Sequence, residues 1–125
     1  MDVLIIDDDP AVLSVFHRAL EKAGYAVRTA ANGLEAIANL QTRTYDAIIC
    51  DVTLPVLGGR GFYDELLATN PAQASRVIFV TGRVDDPETR SYLEKSARPF
   101  LGKPASLATL VAVVRDTVNR SEGKE

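Results

Sequence analysis

Val3-Leu4-Ile5-Ile6-Asp7-Asp8-Asp9-Pro10 holds a strand, an acidic strand end and a helix start in unbroken succession. The apolar run is short and β-branched, which suits a strand covered on both faces. Asp9 before Pro10 reads as a helix N-cap with proline at the first helical position, where a missing N–H costs nothing. Val12, Leu13, Phe16, Ala19, Leu20 and Ala23 then recur at helical spacing, and Gly24 stands where that helix ends. The strand-then-acid pattern returns at Ala47-Ile48-Ile49-Cys50 with Asp51, and a third apolar run, Val77-Ile78-Phe79-Val80, closes on Thr81.

Outward from these runs, Tyr25 to Ala30 carries Arg28 inside it and predicts an edge strand. Phe100-Leu101 predicts a last short strand before Lys103-Pro104. Asn32 with Glu35 resembles a capping box for a second helix through Leu40. Gly59 to Leu67 predicts a third, with Phe62, Leu66 and Leu67 inward. Asp86-Pro87 starts a fourth, and Ser106 caps a fifth whose Leu107, Leu110, Val111, Val114 and Val118 form one apolar stripe. Strand and helix thus alternate through five units, which implies an α/β, doubly wound, flavodoxin-like parallel sheet with right-handed crossovers. The expected strand order is 2-1-3-4-5, with a crevice at the carboxyl ends of strands 1 and 3. Residues 1–120 are expected to form this domain and 121–125 an unstructured tail.

The bulk composition narrows the function. A chain of 125 residues suits one domain, and 46% hydrophobic with 25% charged residues is ordinary for a soluble one. The net charge of -3, without a basic stripe, speaks against direct nucleic-acid binding. Cys50 is the sole cysteine, so no internal disulfide can form and a reducing cytoplasm is the expected compartment. The apolar runs are too short for a signal-peptide core or a membrane span.

On the predicted scaffold, Asp7 and Asp8 end strand 1, Asp51 ends strand 3, Thr81 ends strand 4 and Lys103 follows strand 5. All five meet at one edge of the sheet. Carboxylates crowded there repel one another unless a cation joins them. Oxygen-only ligands favour a hard ion, and Mg²⁺ suits a site with few carboxylates and several waters. Such an ion neutralises charge during phosphoryl transfer, Lys103 adds a point charge, and Thr81 offers a hydroxyl to a phosphoryl oxygen. A carboxylate is an adequate nucleophile for this chemistry.

These residues resemble the receiver domain of two-component response regulators, over essentially the whole chain. The resemblance is carried by Leu4-Ile5-Ile6-Asp7-Asp8-Asp9-Pro10, Asp51-Val52-Thr53-Leu54-Pro55 with Gly59, Val80-Thr81-Gly82, and Lys103-Pro104. It implies that Asp51 is the phosphoacceptor, Asp8 a direct metal ligand, and Asp7 a ligand through water. It further implies a metal-binding backbone carbonyl at Thr53, a switch hydroxyl at Thr81 with the moving aromatic Phe100, and a phosphate-binding Lys103 joined to Pro104 by a cis peptide. The implied partners are a sensor histidine kinase or phosphotransfer protein, and a downstream protein meeting the fourth helix, last strand and fifth helix. Self-phosphorylation and autodephosphorylation are then the only turnover expected. The resemblance also implies that Thr53 and Arg83 occupy positions that set the lifetime of the acyl phosphate, with Arg83 either leaning over the phosphoryl group or pointing into solvent. Gly58, Gly82 and Ala105 depart from the usual pattern without removing a chemical role. The segments from Thr81 to Arg90 and Arg98 to Pro104 also resemble receivers attached to hybrid sensor kinases.

Two rival functions are open to the same residues. An aspartyl-phosphate hydrolase of the haloacid-dehalogenase type also uses Asp, Mg²⁺, a hydroxyl and Lys. It places the nucleophile on the first strand with an acid two residues on, where this chain has strand 3 and Thr53. A degenerate receiver acting as a scaffold would not need the intact acidic set. Plainer roles remain for other residues: Asp9 as a cap, Cys50 in the core, His17 on the surface. Gly58-Gly59-Arg60-Gly61 follows no first strand and reads as a loop and helix start, not a phosphate cradle.

Overall fold

The computed structural model describes residues 1–54 and 57–123, and side chains through residue 120. Pro55 and Val56, the former part of the motif after Asp51, lie outside the described residues. The strands are β1 (Asp2–Ile6), β2 (Ala26–Ala30), β3 (Ala47–Asp51), β4 (Val77–Thr81) and β5 (Phe100–Gly102). The helices are α1 (Pro10–Lys22), α2 (Gly33–Thr42), α3 (Gly59–Thr69), α4 (Pro71–Ala74), α5 (Pro87–Ser96) and α6 (Leu107–Gly123). Every pairing is parallel, and the order is β2-β1-β3-β4-β5, as the alternation predicts.

Because side chains on a strand alternate, each central strand feeds two cores. Leu4, Ile6, Ile48, Cys50 and Phe79 pack on one face with Phe62, Tyr63 and Leu66 of α3 and Leu93 of α5. Val3, Ile5, Ile49, Ile78 and Val80 pack on the other with Phe16 and Leu20 of α1 and Leu110, Val114 and Val118 of α6. Each large side chain so buried contributes on the order of 1.5–3 kcal/mol. The three central strands are buried at nearly every position and β2 is largely exposed, as its internal Arg28 predicts.

The helix starts follow the local chemistry. The Asp9 carboxylate accepts from Ala11 N at 2.9 Å, and the Asn32 side chain accepts from Glu35 N at 2.9 Å. Glu35 reaches back to the N–H of Ala31, one residue beyond the N-cap, at 2.8 Å. Ser106 Oγ accepts from Thr109 N at 3.3 Å. Gly24, at φ +102°, takes the left-handed backbone that closes the turn after α1.

Two expectations are corrected. The one-turn helix α4, started by Asn70 and Pro71, was not anticipated, so the expected fourth and fifth helices are α5 and α6. Leu67 is 50% exposed, not inward, because Gly59, Phe62, Tyr63 and Leu66 share the buried face and Leu67 falls beyond its edge. The last helix continues to Gly123. No stop signal precedes that glycine once α6 is anchored through Val118.

Candidate functional site

Strand register carries the acidic residues to one edge. Ile6 pairs with Cys50 and Asp51 with Val80, so the residues that follow β1 and end β3 and β4 come level with one another. Asp7, Asp8 and Asp51 each present a carboxylate oxygen within 4.8 Å of one another. Asp7 and Asp51 are buried at 2% and 6% exposure, while Asp8 faces solvent. The backbone holds the buried pair in place: Asp9 N donates to Asp7 Oδ1 at 2.9 Å and Thr53 N to Asp51 Oδ1 at 3.2 Å.

Lys103 crosses from beyond β5 to join them. Its Nζ lies 2.9 Å from Asp7 Oδ2 and 3.1 Å from Asp51 Oδ2, two ion pairs shielded from water on the carboxylate side. The bond from Lys103 to Pro104 is cis, as the resemblance implied, and Lys103 N donates to Thr81 O at 2.8 Å. Burial pushes the Asp51 carboxyl above its ordinary pKa; the hydrogen bond and charge of Lys103 pull it back, and the charge of Asp7 raises it further. For Lys103, burial works against the ammonium, but its bonds to Asp7 and Asp51 outweigh this and raise its pKa. A carboxylate held partly uncompensated beside another carboxylate is a place where added positive charge is favoured.

Thr81 is fully buried, and its Oγ1 accepts from Arg83 N at 2.9 Å, so the hydroxyl proton is still free to be donated. Thr53 stands two residues past the end of β3, its side chain exposed. Phe100 is half-buried on β5 beside Phe79, with the Arg90 guanidinium 5.5 Å over its ring. Arg83 is exposed. The N–H and hydroxyl of Thr89 hold the Asp86 carboxyl below its usual range, and the charge of Arg83 adds to that effect.

The family model described as the response regulator receiver domain matches residues 3–115. The chain belongs to that family. The transcriptional regulatory protein PrrA of Mycobacterium leprae (strain TN) is 37% identical over 118 residues, covering 94% of the receiver and 50% of PrrA. The sensor kinase CckA of Brucella abortus (strain 2308) is 32% identical over 122 residues, covering 96% of the receiver but 13% of CckA. The receiver thus spans about half or less of these longer relatives. Among solved structures, the receiver domain of a signal transduction histidine kinase from Syntrophus aciditrophicus superposes with a TM-score of 0.88 at 25% identity. That match covers 99% of this chain and 94% of the other. The receiver domain of a sensor histidine kinase from Pseudomonas aeruginosa PAO1, solved with magnesium coordinated in its active-site cleft, gives a TM-score of 0.84 at 27% identity, covering 94% and 97%.

Membership disfavours the haloacid-dehalogenase alternative, and the receiver is a module of two-component signalling. Its acidic cluster fits a receiver metal site. Cys50 is a core residue, as expected: burial, then the charges of Asp51 and Asp7, push its thiol pKa well up, and it donates weakly to Asp51 O at 3.4 Å. His17 sits beside Glu21 on α1, away from the cluster. Among the described residues, no helix is long and apolar enough to cross a membrane. The sequence did not expose how closely Gly59 packs on the end of β3 or Leu57 on Gly33 and Gly61, because these backbone and steric contacts leave no polar signature.

Proposed function

We propose that this receiver takes a phosphoryl group onto Asp51 from a phosphohistidine of a sensor histidine kinase or phosphotransfer protein, and releases it by self-hydrolysis without turning over a separate substrate. The observation that carries this is the Lys103 ammonium bridging Asp7 and Asp51 inside a cluster of three carboxylates. A structural ion pair needs one carboxylate; the third, exposed Asp8, adds only repulsion unless a cation is bound.

The donor set, all oxygen and without histidine or thiolate, suits Mg²⁺. Asp8 and Asp51 would hold it directly, Asp7 through water, and Thr53 through its backbone oxygen. When bound, it would neutralise charge on the transferring group. In the transfer, an Asp51 oxygen forms the bond to phosphorus as the bond from phosphorus to the donor imidazole nitrogen breaks, and that nitrogen keeps the electron pair. Lys103 is placed to follow the charge from Asp51 Oδ2 onto a phosphoryl oxygen. The Thr81 hydroxyl, donating to another, would draw the segment after β4 inward. Phe100 would then turn with it, altering the surface of α5, β5 and α6 offered to a downstream protein.

Beside Lys103 and Pro104 an apolar groove of about 470 Å³ is lined by Ala11, Val12, Val15 and Phe16 of α1 and by Leu107. Val15 and Leu107 are 49% and 40% exposed, which suits a protein donor docking next to the nucleophile.

With acetyl phosphate and Mg²⁺, the protein should gain the mass of one phosphoryl group, and chelating Mg²⁺ should prevent it. Uptake unaffected by chelation would contradict the metal assignment. Asp8→Ala should weaken Mg²⁺ binding about tenfold or more, and Asp7→Asn less because its contact runs through water. Isothermal titration checks both, and equal affinity in the Asp8 variant would place the ion elsewhere.

A further inference from the structure

We propose that Tyr92 is a positioning residue for the signalling step, a pin that fastens α5 to α3 so that switching turns α5 about this point and is taken up on the side facing β5. The inference rests on the switch proposed above and names the fixed side of the helix that the switch moves.

α5 has little else to hold it. Among its ten residues, Tyr92 and Leu93 are the only large apolar ones. Leu93 is buried in the core, and Tyr92 is half-buried at its rim. The Tyr92 hydroxyl is within donating distance of Asp64 Oδ1 at 3.1 Å and of Arg60 O at 3.3 Å, both on α3. The Arg60 guanidinium carbon lies 4.5 Å from the centre of the same ring, a cation–π contact. The ring also meets Phe79 of β4 edge-on at 6.0 Å between centroids, and Phe79 meets Tyr63 of α3 in the same way at 5.3 Å. Such pairs are favourable beyond the area they bury. Burial, then the charge and hydrogen bond of Asp64, raise the Tyr92 pKa, so the hydroxyl keeps the proton it donates.

The opposite side of α5 is looser. Arg90 reaches over the Phe100 ring of β5 at 5.5 Å, and both Arg90 and its ion-pair partner Glu94 are exposed. A turn of Phe100 breaks that contact and leaves the one at Tyr92 in place. The start of the helix is tied into one piece, because the Asp86 carboxylate accepts from the N–H and the hydroxyl of Thr89 at 2.9 and 2.8 Å. An inward pull from Thr81 arrives at this first turn, while Tyr92 sits more than a turn farther along. A pull at one end and a pin in the middle give a rotation of the whole helix.

The test is NMR of the purified protein with Mg²⁺, with and without beryllofluoride, which stands in for a phosphoryl group on a carboxylate. In wild type the shift changes on adding it should be large at Phe100, Leu101 and residues 82–90, and small at Arg60, Asp64 and the Tyr92 ring. Changes at Arg60 and Asp64 as large as those in β5 would overturn the inference, because the pin itself would then be moving. In the resting protein, Tyr92→Phe should speed hydrogen exchange at the Leu93 and Glu94 amides about fivefold, the loss of roughly one hydrogen bond. It should also spread the beryllofluoride changes onto α3. Asp64→Leu should reproduce both effects. Asp64→Asn, whose oxygen still accepts, should restore wild-type behaviour, a rescue that a purely packing role would not show. Lys95→Ala, exposed on the same helix, should leave exchange within about twofold of wild type. Wild-type exchange in Tyr92→Phe, or an unaltered shift pattern, would overturn the inference and leave Tyr92 as packing. No response of wild type to beryllofluoride at any residue would overturn the switch proposed above, and the inference with it.

Discussion

Asp51→Asn should take up no phosphoryl group from acetyl phosphate, a loss of roughly a thousandfold or more in rate, because the amide lacks the nucleophilic oxygen anion. Its neighbours need not move: asparagine has the same shape, and its carbonyl oxygen can still accept from Thr53 N. Mass spectrometry of the intact protein reads the result, and phosphoryl uptake by the variant at the wild-type rate would contradict the assignment. The same substitution should affect stability in a defined direction. Burial raises the Asp51 carboxyl pKa in the folded protein, so the unfolded chain ionises more readily and the charge works against folding. That cost is present above the folded pKa and disappears below the ordinary aspartate value. Without metal, Asp51→Asn should therefore be at least as stable as wild type at pH 7, and any advantage should shrink as the pH falls through the acidic range. Thermal melts at several pH values check it; an advantage that grew on acidification would contradict the sign.

Gly59→Ala should be among the most damaging single-methyl changes in this protein. A Cβ at this position would collide with the backbone oxygen of Asp51 and lie 2.7 Å from Val52 Cα. Both are backbone atoms at the strand end that carries Asp51, so neither can rotate aside. Relief requires α3 to slide away from β3, opening the packing of Phe62 and Leu66 on the sheet. Overpacking of this kind costs about 2–3 kcal/mol, which for a domain of this size lowers the Tm by roughly 10 °C. The shift also moves Asp51, so Mg²⁺ affinity should fall together with stability. A Tm within about 2 °C of wild type would show that the contact between α3 and β3 yields easily.

The sheet was legible in the sequence because its signals are local and repeated. Three β-branched runs, each ending in Asp or Thr, and helix starts at Asp9-Pro10 and Asp86-Pro87 leave few alternatives once parallel topology applies. The site followed from the topology: Asp7, Asp51 and Lys103 are far apart in the chain, yet the strand order brings both carboxylates within 3.1 Å of the lysine. Other features depend on partners a periodicity cannot show. The helix α4 has a readable Asn70-Pro71 start, but one turn is too short to display an apolar stripe. It places Gln73, which is buried, to bond both the N–H and the carbonyl of Tyr45 at 2.8 and 3.0 Å. Leu67 misled because any leucine in a helix invites an inward assignment, and only the glycine contacts at α3 fix its rotation. The seat of Leu57 between Gly33 and Gly61 is steric, and nothing in the three letters hints at it.

The central claim is that the phosphoryl group resides on Asp51, and chemical mapping of the labelled protein tests it most directly. Borohydride converts an aspartyl phosphate to homoserine, so treatment after acetyl phosphate and Mg²⁺, followed by proteolysis and fragment sequencing by mass spectrometry, reports the residue itself. Homoserine at position 51, and at no other aspartate, is the result expected. Homoserine at Asp7 or Asp8, or a borohydride-resistant phosphate on Thr81, would contradict the account.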